Sequence, residues 1–552
     1  MQAATPSGVN AHARASERMR ARTDKQQVEM SAPASRRATT QTNTARLAWR
    51  VGALIAAVFV GACSGEDFQP STSTGGTSGD SGLGGTDGGG NGGTGGTSGT
   101  GGSGGTSGSD AGDAATCDTT KSPSEESCLV ADDYAIFVSP TGSDSADGSK
   151  GTPVASWEKA LEPGKAAGKI VLACNDDFTS PVALTNAHSG TKLYGGFKCS
   201  DWSYEASKKT RLAPSSEAIA LSLDGVVGFH AEDVIIEAKD ATAAGASSIA
   251  VFASASSGIT LERVDLKAGK GAAGAKGVVT AFTYPAQSAL DGKNANGATG
   301  GGSQPVTCPG GLTTTGGLGG TAGPQGGGLG LPDLGGGKAG VIAGVCAGPG
   351  GGGNGASPPP APNAAGASTL GTLTTTGWTP SAGADAKAGS PGQGGGGGAS
   401  DASFGGGGGG AGGCGGAGGP AGKGGGASIA LLLLDTPLSL NATITLATSD
   451  GGKGGDGAAG QAGQTIFGFK GNGAGSACQG GNGAPGAAGG AGGGAAGGIS
   501  VAVVWKGAAA LAPSIDASTK VTLGALGTKG IGGKAGSNDG IDGLAQDVLE
   551  VK

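Results

Sequence analysis

The sequence predicts an all-β chain whose short strands stack as coils of a parallel β-helix, interrupted by long glycine-rich insertions. Three observations support this fold class. Short apolar runs recur about every 15 residues beyond Arg211, and a larger unit occurs three times. Glycine, with 125 of the 552 residues, fills the stretches between the copies. Proline is not unusually frequent, so the composition does not indicate collagen.

The short runs are rich in aliphatic and β-branched residues, and Gly, Ala, Ser and Asp separate them, which is typical of strands that end at tight corners. They are "AIALSL" at 218–223, "DVIIEA" at 233–238, "SIAVFA" at 248–253 and "ITLERVDL" at 259–266. The larger unit begins at Ser248, Ser428 and Ser500. Three copies of one unit predict three successive layers of one stack.

Residues 132–212 carry a resemblance to a known family. "FVSPTGSDSADGSKGTP" is followed by "SWEKAL", "KIVLAC" at 169–174 and "LYGGF" with "DW" after it. This order resembles the opening of bacterial pectin-lyase-like repeat proteins, which are right-handed parallel β-helices. The resemblance implies that 117–212 form the cap and first coils and that 213–552 continue the stack. Thr152 and Pro153 are typical of the first residues of a helix.

Two glycine-rich insertions, at about 270–427 and 451–498, separate the three copies. The first is far too long for an ordinary loop, so we expect it to leave the stack at one corner and return there. The insertions resemble the glycine-rich repeats of PGRS-type surface proteins. Two states stay open, a disordered chain or packed polyproline-II-like strands, because glycine allows close backbone approach. Cysteines in these segments favour partial order.

The N-terminal 62 residues have the pattern of an export signal. Residues 51–62, "VGALIAAVFVGA", follow Arg46 and Arg50 and are too short to span a bilayer as a helix. Val60-Gly61-Ala62-Cys63 resembles the bacterial lipobox. The resemblance implies a diacylglyceryl group on Cys63, cleavage before it and attachment to the cell envelope, with Ser64 favouring the outer membrane if the host has two. An ordinary signal peptide stays the alternative.

The leader is long, and Met30 is an alternative start. Residues 63–116 are predicted to be a disordered tether, because Gly, Ser and Thr dominate them and cannot form a hydrophobic core. The tether is expected to hold the folded part away from the membrane.

The chain has nine cysteines, an odd number that lipidation of Cys63 would reduce to eight. Eight cysteines in an oxidising compartment predict four disulfides. Pairing of neighbours gives Cys117–Cys128, Cys174–Cys199, Cys308–Cys346 and Cys414–Cys478. A structural zinc site is not expected, because no CxxC occurs and His12, His188 and His230 are scattered.

Candidate catalytic carboxylates are few, and each has a structural interpretation. They are Asp132-Asp133, Asp176-Asp177, Glu232-Asp233, Glu262 and Asp265. We interpret the paired residues as turn formers and the strand bearing Glu262, Arg263, Asp265 and Lys267 as a mixed-sign solvated face. The sequence therefore predicts no catalytic residue, metal or cofactor. A net charge of −7 disfavours nucleic acid as a partner.

These observations predict a lipid-anchored surface protein with a structural or adhesive role. Its expected partners are the membrane, through acyl chains on Cys63, and a polysaccharide or the surface of another cell. Two alternatives stay open. One is a polysaccharide lyase or hydrolase, since pectin-lyase-like folds host such enzymes, and the other is a glycine-rich protein that binds ice or another flat surface.

Overall fold

The computed structural model describes residues 117–163, 168–216, 219–342, 345–508 and 511–552. Their regular structure is mainly β-strand, and eighteen strands form three six-stranded sheets whose neighbouring strands are all parallel. Purely parallel sheets need connections that cross from one strand end back to the other. Here those connections are made by strands of the other two sheets.

The sheets are numbered I to III. Sheet I contains β1 (Ala135–Val138), β2 (Ile170–Cys174), β5 (Lys192–Phe197), β8 (His230–Glu232), β11 (Ile259–Glu262) and β18 (Leu438–Asn441). Sheet II contains β3 (Asp177–Phe178), β6 (Thr210–Leu212), β9 (Val234–Glu237), β12 (Asp265–Lys267), β19 (Ile444–Ala447) and β21 (Thr519–Thr522). Sheet III contains β4 (Val182–Thr185), β7 (Leu221–Asp224), β10 (Ser248–Ser254), β17 (Ser428–Leu434), β20 (Ser500–Lys506) and β22 (Ala545–Glu550).

From β2 onward the chain visits the sheets in the cyclic order I, II, III, so each round adds one strand to each sheet. The order holds through β20, after which the chain goes directly to β21 in sheet II. The three copies of the larger unit occupy adjacent strands of sheet III. Ser248 pairs with Ser428, and Ser428 pairs with Ser500, in the register that the sequence repeat predicts.

The inner faces of the three sheets share one hydrophobic core. Identical positions of successive strands form aliphatic ladders, such as Leu212, Ile236, Leu266 and Leu446 in sheet II. Each of these side chains is fully buried, and burial of one contributes about 1.5–3 kcal/mol before the entropic cost of ordering it. The strand register is therefore fixed, because a one-residue shift would turn a whole ladder to the outside.

The strands β10, β17 and β20 of sheet III are buried on both faces. The hairpin of β15 (Gly371–Thr374) and β16 (Gly377–Pro380) contributes Leu373 and Trp378 to a second core against their outer face. This explains the continuous apolar runs of β10, β17 and β20, since alternation is lost when both faces are covered. A second antiparallel hairpin joins β13 (Gln304–Thr307) and β14 (Thr313–Gly316).

One predicted strand is divided by a corner. The run 259–266 forms β11 and β12, which belong to different sheets, because Arg263 adopts a φ of 50° between them. Asp233 (φ 55°) and Ala442 (φ 56°) occupy the same corner in the layers before and after. Left-handed backbone is uncommon for non-glycine residues, so these three positions mark a turn that the stack imposes.

The helices are short. They are α1 (Trp157–Ala160), α2 (Gln287–Leu290) and two 3₁₀ turns, Ser127–Leu129 and Asn186–His188. The predicted helix start at Thr152 is wrong. Ser156 caps α1 by accepting the Lys159 N–H, whereas the Thr152 hydroxyl bonds to Asp147. Among the described residues, no helix is both long and apolar enough to cross a bilayer.

The glycine-rich insertions are packed, not loose. Every third residue from Gly407 to Gly425 donates its N–H to a carbonyl between Cys478 and Ala496, at 2.8–3.0 Å. The antiparallel segments 383–398 and 452–474 donate N–H groups to carbonyls of the same segment, 405–427, here called the central segment. The accepting carbonyls again recur every third residue along it. Three residues per turn is the repeat of polyproline II. Of the two states left open, the structure therefore has the packed one, a bundle of extended, hydrogen-bonded segments.

Glycine is required where these segments touch. Gly416 donates to the Ala487 carbonyl and accepts from the Gly389 N–H, and a Cβ atom at Gly416 would overlap the Gln461 carbonyl oxygen. Where a neighbouring segment lacks a backbone acceptor, a side chain supplies one. Asp385 accepts the Ala421 N–H at 2.7 Å, and Asn363 accepts the Ala491 N–H at 3.1 Å. Such contacts satisfy backbone groups that would otherwise be buried without a partner.

The bundle is continuous with the sheets. The first insertion leaves sheet II after Lys267 and returns to sheet III at Ser428, and the second leaves after Ala447 and returns at Ser500. A third glycine-rich segment, 524–543, also joins the bundle, with Gly527, Gly530 and Gly533 donating to the 492–498 stretch. The sequence predicts only the two insertions at about 270–427 and 451–498, so this third segment is an addition that the structure makes.

We expect the Gly416→Ala variant to unfold more easily than the parent chain, by about 3 kcal/mol, because the new methyl group must displace backbone that has no room to move. Gly302→Ala is the control in the same bundle, since its Cβ would meet only Lys293 Cγ at 4.0 Å. Its effect should stay below about 1 kcal/mol. Urea unfolding followed by circular dichroism measures both, and equal stabilities would contradict the close packing.

Candidate functional site

The corner between sheets I and II carries the candidate carboxylates of the sequence. Glu232 ends β8 and Glu262 ends β11, and the two residues pair across the sheet. Tyr194 precedes them in the same column of sheet I, and His230 lies two residues before Glu232 on β8. Asp233 and Arg263 are the two left-handed corner residues that follow. The stacking of successive layers thus brings together residues about 30 positions apart in the chain.

Arg263 is the centre of this cluster. Its Nε and Nη2 donate to the two carboxylate oxygens of Asp233 at 3.0 Å each, the bidentate geometry that arginine favours. Nη1 donates to Glu262 Oε1 at 2.7 Å, and Nη2 also donates to Glu232 Oε1. The side chains of Glu232 and Asp233 are 3% and 6% exposed, whereas that of Arg263 is 33% exposed.

Neighbouring groups complete the hydrogen bonding of the buried carboxylates. Tyr204 donates its hydroxyl to Asp233 Oδ2 at 2.7 Å. Ser122, in the N-terminal segment of the described residues, donates to Glu232 Oε1 at 2.8 Å. His230 Nε2 lies 3.3 Å from Glu232 Oε2, and its ring packs against Tyr194 with centroids 5.3 Å apart. Segment 117–130 therefore covers the outer face of sheet I at this corner.

The electrostatics follow from this burial. Desolvation opposes ionisation of Glu232, but hydrogen bonds from His230 and Ser122 and the charge of Arg263 outweigh it and lower its pKa. Burial, together with Glu232 and Glu262, raises the pKa of Tyr194 to about 12. Burial and the hydrogen bond to Asp233 raise the pKa of Tyr204 to about 12. The hydrogen bond to Asp233 raises the pKa of Arg263 above its ordinary value.

This geometry corrects two sequence interpretations. Asp233 does stand at a turn, but Glu232 ends β8, and both carboxylates are buried and paired with Arg263, which turn formation alone does not explain. Arg263 and Glu262 belong to that cluster and not to a solvated face. Asp265 and Lys267 lie outside the cluster, with ion pairs to Lys209 at 3.0 Å and Glu237 at 4.0 Å, and of the two only Lys267 is well exposed. Of the other candidates, Asp132 accepts the Lys150 N–H and Asp177 pairs with Arg211.

The chemistry of this cluster fits a structural role better than acid–base catalysis. A glycosidase general acid needs a raised pKa, and that of Glu232 is lowered. Glu232 and Asp233 are also too buried for a sugar to reach. Three carboxylates share one guanidinium, so two negative charges are not balanced by Arg263.

A second candidate is the end of the bundle that is remote from the sheets, here called the distal end. It contains the turns 401–404 and 473–477 and the described residues of 341–346. Asp401 joins the two turns by accepting the Ser476 hydroxyl. A pocket of about 290 Å³ lies between Pro324, Ile342, Asp401 and the Cys346–Cys478 disulfide. Ile342 and Val345 beside it are 53% and 73% exposed.

All eight cysteines of the described residues form disulfides. Cys117–Cys128 and Cys174–Cys199 pair as expected. The other two expected pairs are wrong, because the bonds are Cys308–Cys414 and Cys346–Cys478. Cys308–Cys414 joins the β13–β14 hairpin to the central segment, and Cys346–Cys478 joins the loop that contains 341–346 to the segment that starts at Cys478. Cys63, Val60, Gly61, Ala62, Met30 and the tether lie outside the described residues.

The chain matches no protein-family model, and neither the search of curated proteins nor that of solved structures finds a match.

We expect Arg263→Ala to destabilise the protein by about 3 kcal/mol at pH 7, because it leaves two buried carboxylates unpaired. Arg211→Ala is the matched control. Arg211 is equally exposed, but its partners Glu237 and Asp177 are 34% and 56% exposed, so the loss should stay below about 1 kcal/mol. Chemical unfolding of both variants measures the difference.

The effect of Arg263→Ala should also depend on pH. The pKa of Glu232 is lowered in the folded state, so its contribution to stability is present above the ordinary value of 4.5 and is lost as the pH falls through the folded-state value. The destabilisation should therefore shrink on acidification below pH 4.5. A penalty that grows in acid would contradict this assignment.

Proposed function

We propose that this chain is a lipid-anchored protein of the cell surface with a structural or adhesive role. In this proposal the three sheets are the faces of a right-handed parallel β-helix, which carries the glycine-rich bundle as a rigid arm. The cyclic strand order and the shared core support the β-helix. Acyl chains on Cys63 attach the protein to the envelope, and residues 63–116 separate the folded part from the membrane.

The cysteine pairing supports export. Four disulfides join the eight cysteines of residues 117–552, and disulfides of this kind persist in oxidising compartments. Cys63 is the ninth cysteine, and the lipobox resemblance gives it a separate role as the acyl acceptor. In a host with two membranes, Ser64 favours delivery to the outer one.

The observation that supports the adhesive role is the exposed apolar surface at the distal end of the bundle. The central segment, 405–427, runs from the start of β17 to the distal turn, and at the polyproline-II rise it spans about 70 Å. Aliphatic side chains are exposed at and near its far end, including Leu329, Val341, Ile342 and Val345. Asp333 and Lys338 are the only charged residues between 300 and 350. Such a surface suits contact with a partner through apolar groups and backbone.

The polysaccharide enzyme is the alternative, and one observation favours it: three carboxylates and one guanidinium meet at the sheet I–II corner. The burial of Glu232 and Asp233 and the lowered pKa of Glu232 favour a structural role instead. Binding to ice or another flat lattice is less well supported. The outward row of exposed Lys453, Ala459, Ala462 and Thr465 with half-buried Asp456 mixes charges with small side chains and is not a uniform array.

The anchor is tested by Cys63→Ala. We expect this variant to lose radiolabelled fatty-acid incorporation and to move from the membrane fraction to the soluble fraction, because its acyl acceptor is gone. Ser64→Ala keeps the acceptor and is the matched control. A Cys63→Ala chain that stays acylated and membrane-bound would exclude the lipobox.

The adhesive role is tested by placing charge at the distal end. We expect Ile342→Asp and Val345→Asp, each alone, to reduce attachment of displaying cells to host matrix or to other cells at least fivefold. Val278→Asp is the control, since Val278 is 78% exposed but lies on the bundle segment that starts at sheet II. Wild-type attachment should change little between low and high salt, because the distal surface has few charges. Equal attachment by all three variants would place adhesion elsewhere.

A further inference from the structure

We infer that His230, Glu232 and Glu262 form a binding site for a divalent transition-metal cation such as Zn²⁺, and that the cation fastens segment 117–130 to sheet I. One ligand atom of each residue lies within 4.8 Å of the others. The inference does not depend on the anchor or on the adhesive role. The sequence predicts no metal site, since it has no CxxC and its histidines are scattered. Glu262 follows Glu232 by 30 residues, and only stacking brings the two together.

The carboxylate oxygens divide into two sets. Arg263 binds Oε1 of Glu232 and Oε1 of Glu262. Glu232 Oε2 faces the His230 ring, and Glu262 Oε2 has no protein partner among the described residues. Glu232 Oε2 and His230 Nε2 are 3.3 Å apart and bond to each other, so a cation would take the place of the hydrogen between them and reach Glu262 Oε2 as a third ligand. Arg263 orients both carboxylates from the other side. Groups that hydrogen-bond the ligating carboxylates in this way are a regular part of metal sites.

The charges at the corner also favour a cation. Glu232, Asp233 and Glu262 carry three negative charges, and Arg263 is the only cation paired with them in the described part of the chain. Lys192 precedes His230 in the same column of sheet I but forms no ion pair with these carboxylates among the described residues. A bound divalent cation would balance the two remaining charges at a position where Glu232 is almost fully buried.

The ligand set indicates the kind of metal. One imidazole nitrogen and two carboxylate oxygens suit zinc and its neighbours, whereas calcium and magnesium prefer oxygen ligands alone. Access is open, because His230 and Glu262 are 20% and 30% exposed. Ser122 already donates to Glu232, so a cation that immobilises Glu232 also immobilises the covering segment.

The experiment is a zinc titration of the full chain after chelator treatment, followed by calorimetry. We expect one equivalent to bind, with affinity at least tenfold lower in Glu262→Gln and in His230→Gln. Glu262→Gln keeps an oxygen for Arg263 and so should retain the fold. Glu237→Gln is the matched control, because Glu237 is similarly exposed and hydrogen-bonded by Arg211, and it should bind zinc like the parent chain.

A second readout tests the fastening of the segment. Zinc should slow tryptic cleavage after Lys121 in the parent chain and in Glu237→Gln, but not in Glu262→Gln. Failure of the parent chain to bind zinc, or equal affinity in all variants, would overturn the site. Binding of calcium with the same affinity as zinc, unaffected by His230→Gln, would overturn the imidazole as a ligand. Cleavage that zinc leaves unchanged would overturn the fastening.

Discussion

Backbone-to-backbone hydrogen bonding between neighbouring chain segments is the constraint on which this molecule depends. In the sheets it acts between strands of successive layers, and in the bundle it acts between extended segments with a three-residue period. The bundle has almost no side chains to pack, so its cohesion comes from these bonds and from close backbone contact. Glycine at positions such as Gly416 is what permits that contact. The long insertions can therefore return in register, with Ser428 beside Ser248 and Ser500 beside Ser428.

Different side-chain chemistry holds neighbouring segments together in the sheets and in the bundle. In the sheets, ladders such as Leu212, Ile236 and Leu266 remove apolar surface from water and set the register. In the bundle, Asp385 and Asn363 show how a short polar side chain can replace a missing neighbour as hydrogen-bond acceptor. At the Arg263 corner, apolar packing and polar pairing occur together. Aliphatic side chains pack on the inside of the sheets, and a buried ionic cluster lies on the outside.

The sequence predicted the features that depend on side-chain pattern. The apolar runs indicated the strands, and the serines at the start of each copy indicated the layers. It predicted one strand across "ITLERVDL", although the spacing of the apolar residues changes there from two, between Ile259 and Leu261, to three, between Leu261 and Val264. One extra polar residue is a weak signal, and it marks the corner that Arg263 occupies. The sequence left the state of the insertions open, because glycine carries no pattern of buried and exposed side chains. The pairing of Cys308 with Cys414 was missed because glycine-rich sequence does not reveal which segments run antiparallel to each other, and it is this arrangement that brings the two cysteines together.

The loop closed by Cys117–Cys128 directly follows residues 63–116 in the chain, and Ser122 within it reaches Glu232. If residues 63–116 tether the protein as proposed, a mechanical pull on them reaches this covalent bridge first. Tension entering at Cys117 crosses the sulfur atoms to Cys128 and passes on to β1, so the ten residues between the two cysteines carry none of it. The hydrogen bond from Ser122 to the buried carboxylate is thereby shielded from shear.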